Sequence, residues 1–378
     1  MFKVIKKSDK TGARRGRLKT AHGVIETPFF MPVATQGTVK HLSAEEVKAM
    51  GAQIVLANTY HLMLRPGAKV IKRAGGLHQF MDWAGPILTD SGGFQIFSLA
   101  QGKRGSNNLV KLTDRGVEFR SYVDGSKHWL SPEESLKIQI DLGVDIAVCL
   151  DECVALPASR EYLAKAVELT SQWAERTKQY AKRLKQRPLI FAVIQGGLDK
   201  TLRLKSLNDL AALDFDGYNI GGLSVGETAK EMYKVLDYLT PVMPFNKPRY
   251  LMGVGYPNNI LEAVKRGVDM FDCVIPTREG RHGRLFKFKP SAEKQIATAL
   301  AGGRVGSFYE VININNAKFI GAKQAINNDS AFAELNNLSL GYLNHLFKIS
   351  EPLGQRLASL NNLEFYLQLM EKIRQNIK

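Results

Sequence analysis

Short apolar runs alternate with longer stretches of helical spacing through the middle of the chain. Residues 54–58, 87–90, 145–151, 189–195, 218–222, 250–253 and 270–276 are rich in Val, Ile, Leu and Phe, the pattern of strands buried on both faces. Helical patterns fill the intervals. Ser131-Pro132-Glu133-Glu134 is a start signal, with Ser as cap, Pro in the first turn and Glu three residues after the cap. Over 159–185 apolar residues recur at Tyr162, Ala166, Leu169, Trp173, Tyr180 and Leu184, and 198–213, 227–239 and 260–266 continue the alternation. Repeated strand–helix units predict an α/β fold with a parallel sheet, open or closed.

The residues on which the runs end favour closure. Asn58, Asp90, Asp151, Gln195, Gly222 and Asp272 are poor choices for a core, yet each stands at or near a predicted strand end. In a (β/α)8 barrel the site gathers at the carboxyl ends of the strands. An open doubly wound sheet more often carries a Gly-rich phosphate loop after its first strand, and no such motif follows one here. Two stretches fall outside the rhythm: 289–307, small and polar with Gly302-Gly303 and Gly306, which reads as a flexible insertion, and the Asn-rich 326–340. Apolar positions 363, 366, 367, 370, 373 and 377 then predict an amphipathic terminal helix.

Composition adds a partner. The 378 residues carry 52 Lys and Arg against 36 Asp and Glu, a net charge of +16, which suits a polyanionic partner such as nucleic acid and equally a soluble protein that is merely basic. No run reaches the roughly 18 apolar residues of a membrane span, and no apolar stretch follows the basic residues 1–10 as a secretory signal requires. Cys149, Cys153 and Cys273 suggest no disulfide framework, so a cytoplasmic location is expected.

Several strand ends carry candidate chemistry. In Thr89-Asp90-Ser91-Gly92-Gly93-Phe94-Gln95 an acid precedes two glycines that let backbone approach a flat ligand, and Phe94 offers a stacking face; alternatively Asp90 or Ser91 simply caps a helix. Asp272 lies among Phe271, Cys273, Val274 and Ile275, where a carboxylate is costly unless paired or used, and 277–284 reads as a glycine-hinged basic loop. The alternative there is an Asp–Arg pair tying the loop down. Asp151, Gln195 and the glycines at 196, 197, 221 and 222 offer acceptors and donors that suit a purine edge, or else satisfy local backbone. His61 stands alone and reads as structural; no metal site, catalytic triad or Schiff-base lysine is indicated.

Taken together, 88–95, 130–133, Asp151-Glu152-Cys153, 217–227, 250–255 and 267–283 closely resemble the bacterial tRNA-guanine transglycosylases, the queuine tRNA-ribosyltransferase family. The resemblance runs from about Pro32 to Arg284 and from Asn313 to the C-terminus. It implies a modified (β/α)8 TIM barrel spanning 1–378, with 286–310 inserted, a C-terminal subdomain over 311–362 and a terminal helix, 363–378, packed back on the barrel. It also implies exchange of guanine at tRNA wobble position 34 for preQ1 by double displacement in queuosine biosynthesis. Asp272 falls at the nucleophile and Asp90 at the general acid/base. Ser91, Gly92, Gly93, Phe94, Asp151, Gln195, Gly222, Leu223 and Met252 fall at base-binding positions. Cys153 and Val225 match the preQ1-type enzymes. Gly253, Val254, Gly255, Tyr256, Pro257, Asn258 and Asn259, with Thr277, Arg278, Glu279, Gly280 and Arg281, fall in RNA-contacting segments. The implied partners are a tRNA with a G34-U35 anticodon, preQ1 or guanine, and a second copy in a homodimer.

The chain departs from the family in two places. The positions of the family's zinc ligands, three cysteines and a histidine, hold Ser330, Phe332, Leu335 and Asn361, so no zinc and no other cofactor is expected. The segment between the basic loop and Asn313 is longer than usual. These losses leave a second hypothesis, a tRNA-binding paralogue without catalysis, opposed by the retained Asp90, Asp151 and Asp272. A third, exchange elsewhere in tRNA as in the archaeal enzymes, is opposed by the lack of an added RNA-binding domain.

Overall fold

Nine short runs of extended chain share one parallel sheet in a computed structural model that describes residues 2–101 and 110–378. Around the sheet run Phe29–Met31, Met270–Asp272, Arg249–Leu251, Gly217–Ile220, Leu189–Ile194, Ile146–Val148, Ile87–Thr89, Val55–Ala57 and Val33–Ala34. Only Pro32 separates the two end strands in sequence, so the first barrel strand is a single bent one and the sheet closes on itself. The barrel interior is filled by Met31, Leu56, Leu88, Val148, Val193, Tyr250 and Met270 among others, the layered packing of bulky residues that makes such a barrel a core rather than a pore.

Helices cover the outside where the sequence signals them. The Ser131 hydroxyl caps Pro132–Leu142 by accepting from Glu134 N, and Ser159 caps Arg160–Ala181 in the same way. Thr228 and Glu231 form a reciprocal capping box at the start of Ala229–Leu239. Among the described residues no helix is long and apolar enough to cross a membrane.

The amino-terminal end of the barrel is closed by a three-stranded antiparallel sheet, Phe2–Lys7, Arg14–Thr20 and Gly23–Thr27, whose Phe2, Leu18 and Ile25 join the interior core. Two buried aspartates just ahead of barrel strands fasten it. Asp269 takes two bonds from the Arg14 guanidinium, at 2.9 and 2.5 Å, and one from Arg249 N at 2.8 Å. Asp145 accepts from His22 N at 3.0 Å and Ile87 N at 2.9 Å.

Four expectations need correction. The run 270–276 is strand only through Asp272; Pro276 starts a helix, Ile275–Arg281, in the stretch that reads as a basic loop. Gly280 is no hinge: a Cβ there would lie 2.9 Å from the backbone of Ser359, so glycine permits close helix contact. The stretch 289–307 is not featureless, since Ala292–Leu300 is a helix burying Ile296, Ala299 and Leu300 between the paired strands Arg284–Phe288 and Tyr309–Asn313. The terminal helix is longer than its apolar spacing suggests, Pro352–Asn376, and buried on several sides.

Arg14→Ala is expected to destabilise the fold by about 3–5 kcal/mol, because it leaves Asp269 buried without its counter-charge. Denaturant unfolding measures this; a loss below about 1 kcal/mol would show that the pair does not hold the barrel end.

Candidate active site

A cavity of about 680 Å³ opens at the carboxyl end of the barrel, and most of the predicted site residues line it. Asp90, Asp151, Gln195, Gly222, Met252 and Asp272 each follow or end a different strand, so barrel closure brings residues from 90 to 272 to one rim. Phe94, 49% exposed, faces the same space, as do Leu223, Cys153 and Val225.

The three carboxylates are held differently. Asp90 accepts from Thr59 N at 2.9 Å and from the Asn58 amide at 2.5 Å. Burial, with the Asp272 charge adding to it, pushes its carboxyl up to about 7 against the bonds from Thr59 and Gln95. Asp151 accepts from Gln195 Nε2 at 2.7 Å and from Ser91 Oγ at 3.3 Å, and burial raises it to about 6. Asp272 receives the Tyr250 hydroxyl at 2.6 Å and Gly253 N at 2.7 Å on one oxygen, Oδ1. Burial raises its carboxyl too, while those two donors oppose the shift. A carboxylate fixed by two donors on one oxygen, at the edge of a cavity, suits attack on an electrophilic carbon. A second acid that titrates near neutrality suits proton transfer.

The remaining candidates divide by exposure. Gly92 and Gly93 are buried behind the rim, where a Cβ on Gly93 would meet Asp151 O at 2.9 Å. Ser91 serves Asp151 rather than only capping a helix. Gly253, Tyr256 and Asn258 are exposed around the mouth, whereas Val254, Gly255 and Pro257 are buried beneath them, and Asn259 accepts from Tyr233. In the helix Ile275–Arg281, Arg278 is exposed and Arg281 half-buried, whereas Thr277 and Gly280 face inward and Glu279 pairs with Arg278 and Arg284. His61 lines the cavity wall and pairs with the Tyr122 hydroxyl at 3.0 Å.

Sequence reasoning missed the residues that hold the site. Tyr250 reads as a strand residue and Asn58 only as a polar strand end without a role, yet each bonds a catalytic candidate. Arg203 is fully buried and donates to four carbonyls, those of Gly197, Ile194, Gly221 and Gly222, locking the two loops that follow strands Leu189–Ile194 and Gly217–Ile220. Nothing in the sequence of the helix Lys200–Ala212 marks it. Glu227 caps the next turn by accepting from Ser224 N and Val225 N.

At the positions of the expected zinc ligands, Ser330 Oγ donates to Glu364 at 2.6 Å, and the Asn361 amide donates to Phe286 O at 3.1 Å and accepts from Asn327 at 3.2 Å. Leu335 is fully buried and Phe332 packs against the core. The polar atoms are spent within the protein, and the set offers neither thiolate nor imidazole.

Known proteins share this arrangement along the whole chain. A family profile described as queuine tRNA-ribosyltransferase matches residues 9–378. The queuine tRNA-ribosyltransferase of Moorella thermoacetica is 49% identical over 376 residues, covering 100% of this chain and 93% of its own. That of Desulforamulus reducens is 48% identical, with 100% and 94% covered, and that of Caldanaerobacter subterraneus subsp. tengcongensis 48%, with 100% and 93%. Full-length similarity to curated enzymes gives the non-catalytic alternative no support. With a family profile matched over residues 9–378 and relatives nearly half identical along the whole chain, the chain belongs to the queuine tRNA-ribosyltransferase family.

Proposed function

We propose that this chain is a tRNA-guanine transglycosylase that exchanges guanine at position 34 of a G34-U35 anticodon for preQ1. The observation that carries the reading is the pair Asp90 and Asp272 at the ends of two strands lining one cavity, each fixed by donors from neighbouring elements. In the first displacement Asp272 attacks C1′ of the ribose, the N-glycosidic bond breaks and its electrons leave with guanine, which takes a proton from Asp90. In the second, Asp90 takes a proton from the incoming base, whose nitrogen attacks C1′, and the ester to Asp272 breaks to restore the carboxylate. Two inversions retain configuration, and one glycosidic bond replaces another, so no energy-rich cosubstrate is needed.

The base fits by chemistry. Asp151 offers acceptors to the ring N–H and exocyclic amine, the Gly222–Leu223 backbone serves the opposite edge, and Phe94 and Met252 supply the two faces of a sandwich. The partly buried Val225 and Cys153 leave room for a small aminomethyl group. Around the mouth the exposed Arg278 and the half-buried Arg281 meet the anticodon. The proposal includes a homodimer in the cytoplasm, where the three free cysteines stay reduced. It also includes a C-terminal region held without zinc, since Leu335, Ser330 and Asn361 are already satisfied by the protein.

Labelled guanine should enter an unmodified anticodon stem-loop, with preQ1 competing. Asp272→Ala should lower exchange at least about 10³-fold and abolish the denaturation-stable protein–RNA adduct while the RNA still binds. Exchange undiminished in that variant would refute the nucleophile. The pH profile of kcat/KM should rise as Asp272 loses its proton, above the ordinary carboxylate range, and fall as Asp90 loses its own near pH 7. A flat profile between pH 5 and 9 would rule out Asp90 as the proton carrier. Finally, Leu335→Ala should cost about 2–5 kcal/mol in unfolding; a neutral result would show that apolar packing does not hold this region.

A further inference from the structure

At the end of the barrel opposite the cavity, three metal-ligating side chains from distant parts of the chain meet. Asp145 lies just ahead of strand Ile146–Val148 and is fully buried. His22 comes from the turn between Arg14–Thr20 and Gly23–Thr27, and His78 from the short helix Leu77–Phe80. His22 Nδ1 is 2.9 Å from Asp145 Oδ1, and His78 Nε2 is 3.3 Å from Asp145 Oδ2. Their ligand atoms all lie within 4.8 Å of one another, and among the described residues no other set of three His, Cys, Asp or Glu does so.

A second observation points to a ligand. His78 Nε2 is shielded from solvent and makes no close hydrogen bond; what it faces is the Asp145 carboxylate, at a loose ion-pair distance of 3.3 Å. A buried imidazole nitrogen left this way costs stability, and a cation between it and Asp145 removes the cost. The spacing suits one. Ligand atoms about 2.1 Å from a tetrahedral ion stand about 3.4 Å apart, close to the two separations above. The rings stack at 3.7 Å with 23° between planes, so binding requires the His22 ring, 42% exposed, to tilt from its contact with Asp145 until the nitrogens converge. Its exposure also leaves a coordination position open to water.

We propose that His22, His78 and Asp145 form a binding site for a divalent transition metal of the zinc or cobalt class. Two neutral imidazoles and one carboxylate are the donors such ions take, whereas calcium and magnesium prefer oxygen alone. The ion clips the N-terminal sheet and the helix Leu77–Phe80 to the start of a barrel strand, where its role is to stabilise the fold. Asp145 already accepts from His22 N and Ile87 N, so the clip tightens an existing junction.

The test uses full-length protein stripped with a chelator and desalted, titrated with Co²⁺ alone by calorimetry and visible absorption. Wild type is expected to bind one equivalent, with the ligand-field absorption of cobalt bound by nitrogen and oxygen, and to gain about 3 °C in Tm at saturation. His78→Gln and His22→Ala are each expected to lose the stoichiometric binding and the gain in Tm. His22→Ala decides the matter if His78→Gln fails to fold, because it removes a half-exposed ring and keeps the backbone bond to Asp145. Guanine exchange measured alongside should be the same with and without Co²⁺. No saturable binding by wild type, or equal binding by His22→Ala, would overturn the assignment.

Discussion

Three carboxylates lose water at one rim of a closed barrel, and much of the surrounding structure exists to make that tolerable. Each is supplied with donors from a neighbouring element rather than with a cation: Asp90 from Asn58 and Thr59, Asp151 from Gln195 and Ser91, Asp272 from Tyr250 and Gly253. The donors are fixed in turn. Ser206 Oγ accepts from Gln195 N, and Arg203 satisfies the carbonyls of the two glycine loops. Neutral donors offset desolvation only in part, so all three carboxyls stay above their ordinary range, Asp90 at about 7 and Asp151 at about 6. Cations in their place would have driven them into permanent ionisation.

The opposite end of the same strands shows the contrast. Asp145 is as deeply buried as Asp90, and burial alone would raise it as well. There the His78 imidazole, the Ile87 amide and His22 outweigh desolvation and hold the carboxyl at about 2. One residue type in one barrel is thus tuned in opposite directions by what surrounds it. The cationic or imidazole-rich setting lies at the amino end, where strands are fastened, and the donor-only setting at the carboxyl end, where chemistry takes place.

What could be read from the sequence follows the same division. Strand ends carrying Asn58, Asp90, Asp151, Gln195 and Asp272 stood out because polar residues interrupt apolar runs, and barrel closure made that linear pattern into a cavity. The supports did not stand out. Tyr250 is an ordinary strand residue until its hydroxyl meets Asp272, and Arg203 carries the charge expected of a solvent-facing helical position. Small polar residues made 289–307 look like loop, yet Ile296 and Leu300 bury one face of a helix there. Glycine and arginine made 277–284 look like a hinged loop, although Gly280 is shaped by a contact more than seventy residues away. Local composition carries no information about partners that arrive through tertiary packing.

The terminal helix illustrates why such partners matter to the catalytic end. It reads as amphipathic, yet Asn361, Asn362, Glu364 and Tyr366 are buried, and they serve backbone groups. Asn362 donates to Pro276 O and Arg284 O and accepts from Phe286 N, while Tyr366 donates to Gly255 O. Those acceptors lie in the two segments that follow strands Arg249–Leu251 and Met270–Asp272. The helix carrying Arg278 and Arg281, and the turn whose Gly253 bonds Asp272, are therefore anchored to a single rod of 25 residues. Gly280 lets that rod approach the helix carrying Arg278 and Arg281 to backbone contact, with no side chain between them. Glu364 of the same rod receives Ser330 and Ala331, so the Asn-rich segment is tied to it by hydrogen bonds at the place where the family resemblance puts a metal. The geometry of the catalytic rim thus depends on order in a C-terminal region that contributes no atom to the cavity.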